Sequence, residues 1–177
     1  MTKKDSAFHK LLVEQLIYEL QSANQYLAMF VHYDQLDMPQ MAKVFKNHYV
    51  EENQHALAMI NYLLDADLPL EIPAVPEVKN EFTGIIEPVK TALEHEEMVS
   101  AKIYKLACTA RDDYDFAGES FIKRFIDEQL EEEAYFKRLL AVVEAKGATR
   151  FEVENWVARE IDTQASISAA DEGTQAI

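Results

Sequence analysis

Four stretches of this chain repeat apolar residues in alternating steps of four and three, and each sets a carboxylate where a core side chain belongs. The second is the densest: Met41, Phe45, His48, Glu52, His55, Met59 and Tyr62 fall on one helical face. Glu52-x-x-His55 puts a carboxylate and an imidazole about one turn apart, near enough to bind a single ion. The first stretch carries Leu12, Leu16, Glu19, Ala23, Tyr26 and Phe30. The third carries Ile86, Val89, Leu93, Glu96, Ser100, Ile103 and Ala107, and the fourth Ile122, Phe125, Gln129, Glu132, Phe136, Leu139 and Val143. An unpaired carboxylate in a core costs several kcal/mol or takes up a proton. A chain with this pattern must therefore fold so that its seams share some source of positive charge.

The punctuation predicts an all-α, four-helix bundle. A first helix from about Ser6 to Asp34 is followed by Asp37-Met-Pro39-Gln40, where Asp37 suits a cap, Pro39 a first turn and Gln40 a capping box. So short a link makes the first two helices antiparallel neighbours, the second ending near Asp65. Three prolines between Asp67 and Val78 forbid a helix there. That segment reads as an extended strap along the bundle, which sets the third helix, about Gly84 to Arg111, parallel to the second. His95 and Glu97 flank Glu96 and are expected to point away from the seam. Asp112, Asp113 and Asp115 mark a turn and give negative charge to the start of the fourth helix, about Asp113 to Lys146. Gly147 ends it, and the capping box Thr149-Arg-Phe-Glu152 opens a short fifth helix with Phe151, Trp156, Val157 and Ile161 on its apolar side. One domain over residues 1–162 is expected, with a disordered tail over 163–177, rich in Ser, Ala and Gly after Thr163.

Composition narrows the function. With 177 residues, four Gly and five Pro, the chain can build one helical core. A net charge of -15 argues against a nucleic-acid partner and favours cations, though it also serves plain solubility. No apolar run approaches the roughly 20 residues that span a bilayer, so no membrane partner is expected. The single cysteine, Cys108, excludes an intrachain disulfide, and the start Met1-Thr-Lys-Lys-Asp-Ser6 lacks a signal peptide's apolar stretch. A cytoplasmic protein is the expectation.

The seam residues lie near mid-helix in all four stretches. In an up-down bundle Glu19, Glu52, His55, Glu96, Gln129 and Glu132 would meet at one level in a dry pocket. Four carboxylates cannot all be ionised there without cations, and two divalent ions would offset them. Oxygen donors with one imidazole suit iron or manganese better than a thiolate-type zinc site. A hydrogen-bonded polar layer with some carboxyls protonated is the alternative. Glu51, Glu128 and Glu131 flank the seams and, with Glu132, could hold a third ion beside the pair; otherwise they are solvated surface groups.

The motifs Glu19 with Tyr26, Glu51-Glu52-Asn-Gln-His55, His95-Glu96 and Glu128-Gln129-Leu-Glu131-Glu132, in this order and spacing, resemble the non-haem ferritins of bacteria from Phe8 to Ile161. The resemblance implies a ferritin-like bundle with one long crossover, assembled as a hollow cage of 24 identical subunits that oxidises Fe(II) with dioxygen or peroxide and stores Fe(III) mineral. It implies that Glu19 and His55 hold a first iron, that Glu52 bridges, and that Glu96 and Glu132 hold a second with Gln129 beside it. Glu51, Glu128, Glu131 and Glu132 would hold a third, and Tyr26 would give an electron to the bound oxidant. By the same analogy iron enters near Asp112, Asp113 and Glu119, and the fifth helix lines fourfold axes. The chain departs from di-iron relatives that carry a second Glu-x-x-His, since the fourth helix has none. Asn53 stands where haem-binding relatives have Met, so no haem is expected, and Arg124 stands where many relatives have Trp. A di-iron redox enzyme of small oligomeric state and a non-enzymatic helical module with a polar core are the alternatives.

Overall fold

The computed structural model of the chain describes residues 6–72 and 74–161. The expected tail over 163–177 lies outside them. Helices α1 (Ala7–Gln35), α2 (Pro39–Asp65), α3 (Glu87–Asp112) and α4 (Phe116–Val143) form the bundle, and α5 (residues 150–161) packs at one end. Among the described residues no helix is long and apolar enough to cross a membrane.

The strap sets the topology. Its start lies at the beginning of α1, where His9 Nε2 hydrogen-bonds the Pro69 carbonyl at 3.1 Å. Its middle is held at Gln25, whose side chain donates to the Lys79 carbonyl (2.8 Å) and accepts from the Lys79 N–H (2.9 Å). Its end lies at the close of α1, where the Tyr33 hydroxyl donates to the Ile85 carbonyl at 2.7 Å. The strap thus travels the length of α1 in α1's own direction. Because α2 is antiparallel to α1, the return along α1 makes α3 parallel to α2, the expected long crossover.

The caps differ from the sequence expectation in three places. Asp37 does not cap α2: it sits at φ 56° in the tight turn, and Met38 takes the cap position without a side-chain bond. The orphan N–H groups of Gln40 and Met41 are instead satisfied by both oxygens of Glu154 from α5, each at 2.9 Å. A helix start can be capped from a distant element, and local spacing carries no trace of that. The fourth helix starts later and ends earlier than expected, with Asp115 as its cap accepting from the Gly118 N–H at 3.0 Å. The third starts at Glu87, because Gly84 at φ 63° turns the chain first. The Thr149–Glu152 capping box forms as read, the Thr149 N–H donating to Glu152 at 2.8 Å. Phe151 does not join the apolar side of α5 and is 75 % exposed. Val153 and Val157, one turn apart on the opposite face, fill that place.

The core comes in two pieces. One holds Tyr26, Met29, Tyr33, Phe45, Phe136 and the α5 valines. The other holds Phe8, Leu12, Met59, Leu63, Ile103 and Phe125. Between them lies the polar layer of Glu19, Glu52, Glu96 and Gln129, all buried. At the outer end of the second piece, Phe8 presses on the backbone of α4 at Gly118, where an added Cβ would lie 2.6 Å from Phe8 Cε1. The Gly118→Ala variant must push that ring out of place, and its unfolding free energy should fall by about 1–3 kcal/mol. Thermal unfolding measures this, and an unchanged midpoint would show that the ring yields freely.

Candidate metal centre

Each wall of the polar layer comes from mid-helix. From α1, Glu19 accepts a hydrogen bond from Gln15 Nε2 at 2.8 Å, one turn below it. From α2 come Glu52 and His55, whose Nδ1 lies 3.5 Å from Glu52 Oε2 and 3.6 Å from Glu19 Oε2. From α3, Glu96 takes the Tyr26 hydroxyl on one oxygen and Gln129 Nε2 on the other, the latter at 2.9 Å. From α4, Glu132 lies nearer the surface and accepts from His48 Nε2 at 2.8 Å. Among the described residues two clusters can offer ligand atoms within 4.8 Å of one another: Glu19 with Glu52 and His55, and His48 with Glu51 and Glu132.

The carboxyls do not share one charge state. Burial, followed by the neighbouring Glu19 charge, drives the Glu52 pKa well above the usual carboxylate range. Burial with the Glu132 charge raises Glu96 to about 7, although Tyr26 and Gln129 both donate to its ionised form. Burial pushes Glu19 up too, but hydrogen bonds from His55 and Glu52 and the His55 charge outweigh it and leave Glu19 lowered. Glu132 follows the same logic: burial opposes ionisation, and His48 overcomes it. Burial pulls both imidazoles down, yet Glu132 lifts His48 to about 10, and Glu19 above all raises His55. The pocket thus favours the imidazolium form of both histidines and the protonated form of Glu52 and Glu96. Tyr26 is held neutral by burial and the surrounding carboxylates.

The residues read from the sequence divide here. Glu19, Glu52, His55, Glu96, Gln129, Glu132 and Tyr26 converge on the polar layer. Glu128 is about half exposed and leans on His55 Nε2 at 3.4 Å. Glu51 and Glu131 are exposed, and only Glu51 falls in a cluster. His95 does not point away from the seam: its Nε2 meets the Ser22 hydroxyl of α1 and its ring lies edge-on to Tyr26, 6.4 Å between centroids. Helix α3 packs on both α1 and α4, so its buried arc is wider than one stripe. Glu97 is exposed as expected. Arg124 lies over the rings of Phe121 and Phe125, 4.9 and 4.5 Å from their centroids.

Two side chains that contact the layer's carboxyls are not singled out by the sequence pattern. Gln15 lies off the α1 stripe, yet it orients Glu19. His48 was read as a stripe member alone; its sequence signal was His48-x-x-Glu51, the reverse of Glu52-x-x-His55 directly after it.

Residues 9–145 match the family model described as a ferritin-like domain. The ferritin BfrB of Mycobacterium tuberculosis is 43 % identical over 163 residues, covering 92 % of this chain and 90 % of that protein. This chain belongs to the ferritin family. Membership places it among iron-storage proteins. The bacterial non-heme ferritin of Staphylococcus aureus is 36 % identical over 126 residues, 71 % of this chain and 76 % of that one. An open pore ferritin from the archaeon Archaeoglobus fulgidus shares the fold with a TM-score of 0.81 over 86 % of this chain and 94 % of its own, at 24 % identity. The ferritin fold thus carries a pocket whose donors, mostly carboxylate oxygen, suit iron.

Charge in this pocket makes the metal-free ferritin pH-sensitive. Glu96 has a folded pKa of about 7 against an ordinary 4.5, so the folded state holds its proton over a range where the unfolded chain has lost it. Stability therefore falls as pH rises from about 5 to about 8, each unit of the shift being worth about 1.4 kcal/mol. The Glu96→Gln variant should lose less on the same rise. Metal-free unfolding curves compare them, and equal pH slopes would show that Glu96 is not held protonated.

Proposed function

We propose that this ferritin oxidises Fe(II) at an intra-subunit pair of iron sites and stores the Fe(III) as mineral inside a cage of 24 copies, in the cytoplasm. The observation that carries this reading is the convergence of Glu19, Glu52 and His55 within 4.8 Å inside a layer that also buries Glu96. Iron is the substrate. Glu19 and His55 hold one Fe(II), Glu96 and Glu132 the other, and Glu52 lies between them, with Gln129 beside the second.

The physical case is charge. Two dications replace the two imidazolium charges and the protons on Glu52 and Glu96, so every carboxylate gains a partner. Two Fe(II) ions side by side supply two electrons to one oxidant, dioxygen or hydrogen peroxide, and each becomes Fe(III). Tyr26, hydrogen-bonded to Glu96 and held neutral, is placed to supply a further electron from its phenol, its proton passing to the Glu96 carboxylate. The dry layer keeps bulk water from the reacting ions. Glu132, on the exposed side of the layer, is the route out, and Glu51, Glu128 and Glu131 draw cations to that rim. Asp112, Asp113 and Glu119 stand at the α3–α4 turn, where iron would enter between subunits, and α5 lines the fourfold axes.

Loading the metal-free protein with excess Fe(II) in air, followed by gel filtration, tests the reading. The protein peak should be a very large particle holding far more iron per chain than its ligands can coordinate, and Glu52→Ala should slow the initial oxidation at least about tenfold. Iron at ligand stoichiometry in a small oligomer would favour the alternative, a di-iron redox enzyme.

A further inference from the structure

The acids at the exposed edge of the polar layer, Glu51, Glu128, Glu131 and Glu132, all come from α2 and α4. A separate small cavity of about 50 Å³ lies between α1 and α3, lined by Leu11, Gln15 and Tyr18 on one side and Lys102, Lys105 and Leu106 on the other, with the exposed Glu14 at its mouth. That is room for a few water-sized molecules, each of which needs about 10–15 Å³. Gln15, only 1 % exposed, is its floor. The Gln15 amide commits Nε2 to Glu19 Oε1 at 2.8 Å. Its carbonyl oxygen has no hydrogen-bond partner among the described residues. Every fully buried side-chain polar atom among those residues does have one, so this oxygen is not enclosed by protein and opens on the cavity. Across from it the Lys102 ammonium lies over the Tyr18 ring, 3.7 Å from the centroid.

We propose that this cavity receives hydrogen peroxide and is its way in to the iron pair, with the Gln15 carbonyl accepting a hydrogen bond from the peroxide and the Lys102 ammonium donating one to it. This rests on the iron-oxidation reading and names the oxidant which that reading leaves open. Peroxide donates and accepts hydrogen bonds, so both polar groups hold it. Dioxygen donates none and passes through apolar packing, so it has no need of them. Lys102 and Lys105 repel a dication, so iron takes the acidic edge of α2 and α4 and the two reactants arrive from different sides of the bundle. One side chain, Gln15, separates the cavity from Glu19, and a swing of its amide opens the passage. At the pair each Fe(II) gives one electron, the O–O bond breaks, and the peroxide becomes two hydroxide ions beside two Fe(III). No further reductant or proton donor is required.

Stopped-flow oxidation tests the route: the assembled protein is loaded anaerobically with an iron pair per chain, then mixed with hydrogen peroxide or, separately, with dioxygen. Leu11→Trp fills the cavity and should cut the second-order rate constant for peroxide about tenfold. Lys102→Met keeps the chain length and removes the ammonium, and should cut it roughly fivefold, the worth of one hydrogen bond. Neither variant should change the rate with dioxygen. Lys102 is only partly buried, so its variant keeps the test valid if Leu11→Trp misfolds. A wild-type peroxide rate in either folded variant, or peroxide and dioxygen rates slowed alike, overturns the proposal. Wild-type protein that oxidises Fe(II) no faster than free iron with either oxidant would instead sink the iron-oxidation reading, and the proposal with it.

Discussion

Carboxyl groups buried between two apolar half-cores are the constraint on which this structure depends. A bundle of this length would be more stable with Leu at positions 19, 52 and 96, since burying a charge costs more than its pairing returns in most settings. Instead the apolar core is cut in two, with Phe8, Met59 and Phe125 on one side and Phe45, Tyr33 and Phe136 on the other. The layer between them survives because each carboxyl has a neighbour that moderates it. Gln15 holds Glu19, Gln129 and Tyr26 hold Glu96, and His55 and His48 supply positive charge to Glu19 and Glu132. Among the described residues no buried side-chain polar atom lacks a hydrogen bond.

That arrangement is a compromise, and its incompleteness is what suits it to metal. Glu52 and Glu96 resist ionisation because the pocket has too little positive charge of its own. An entering dication would supply that charge, and the carboxyls would release their protons to solvent as they bound it. On the proposed reading His55 would pass from cation to ligand inside the layer. The surrounding scaffold keeps the ligands in register: the strap ties down the outside of α1, and Glu154 of α5 holds the start of α2. Storage and stability therefore draw on the same contacts.

Much of this was legible in the sequence because helical periodicity is a strong signal over long elements. Glu19, Glu52, His55, Glu96, Gln129 and Glu132 stood on their stripes, and the proline-rich strap fixed the crossover. What periodicity could not carry was contact between elements. Glu154 caps α2 across more than a hundred residues, so Asp37, the local candidate, was the wrong cap. His95 looked like a flanking residue because one stripe was assumed for a helix that packs on two neighbours. His48 looked like filling because only its rotamer, set by the Val44 carbonyl and three rings, aims Nε2 at Glu132. Phe151 misled in the other direction: apolar character alone does not say which face a short helix turns inward.

The most direct measurement is the thermal unfolding midpoint of the metal-free protein with and without Fe(II), taken anaerobically so that binding is separated from oxidation and mineral growth. If the buried carboxylates await dications, Fe(II) raises the midpoint of the wild type by mass action. The Glu19→Gln/Glu52→Gln/Glu96→Gln protein should begin more stable and gain nothing from iron. A wild type that iron does not stabilise, or a triple variant stabilised as much, would contradict the claim that the polar layer exists to hold metal.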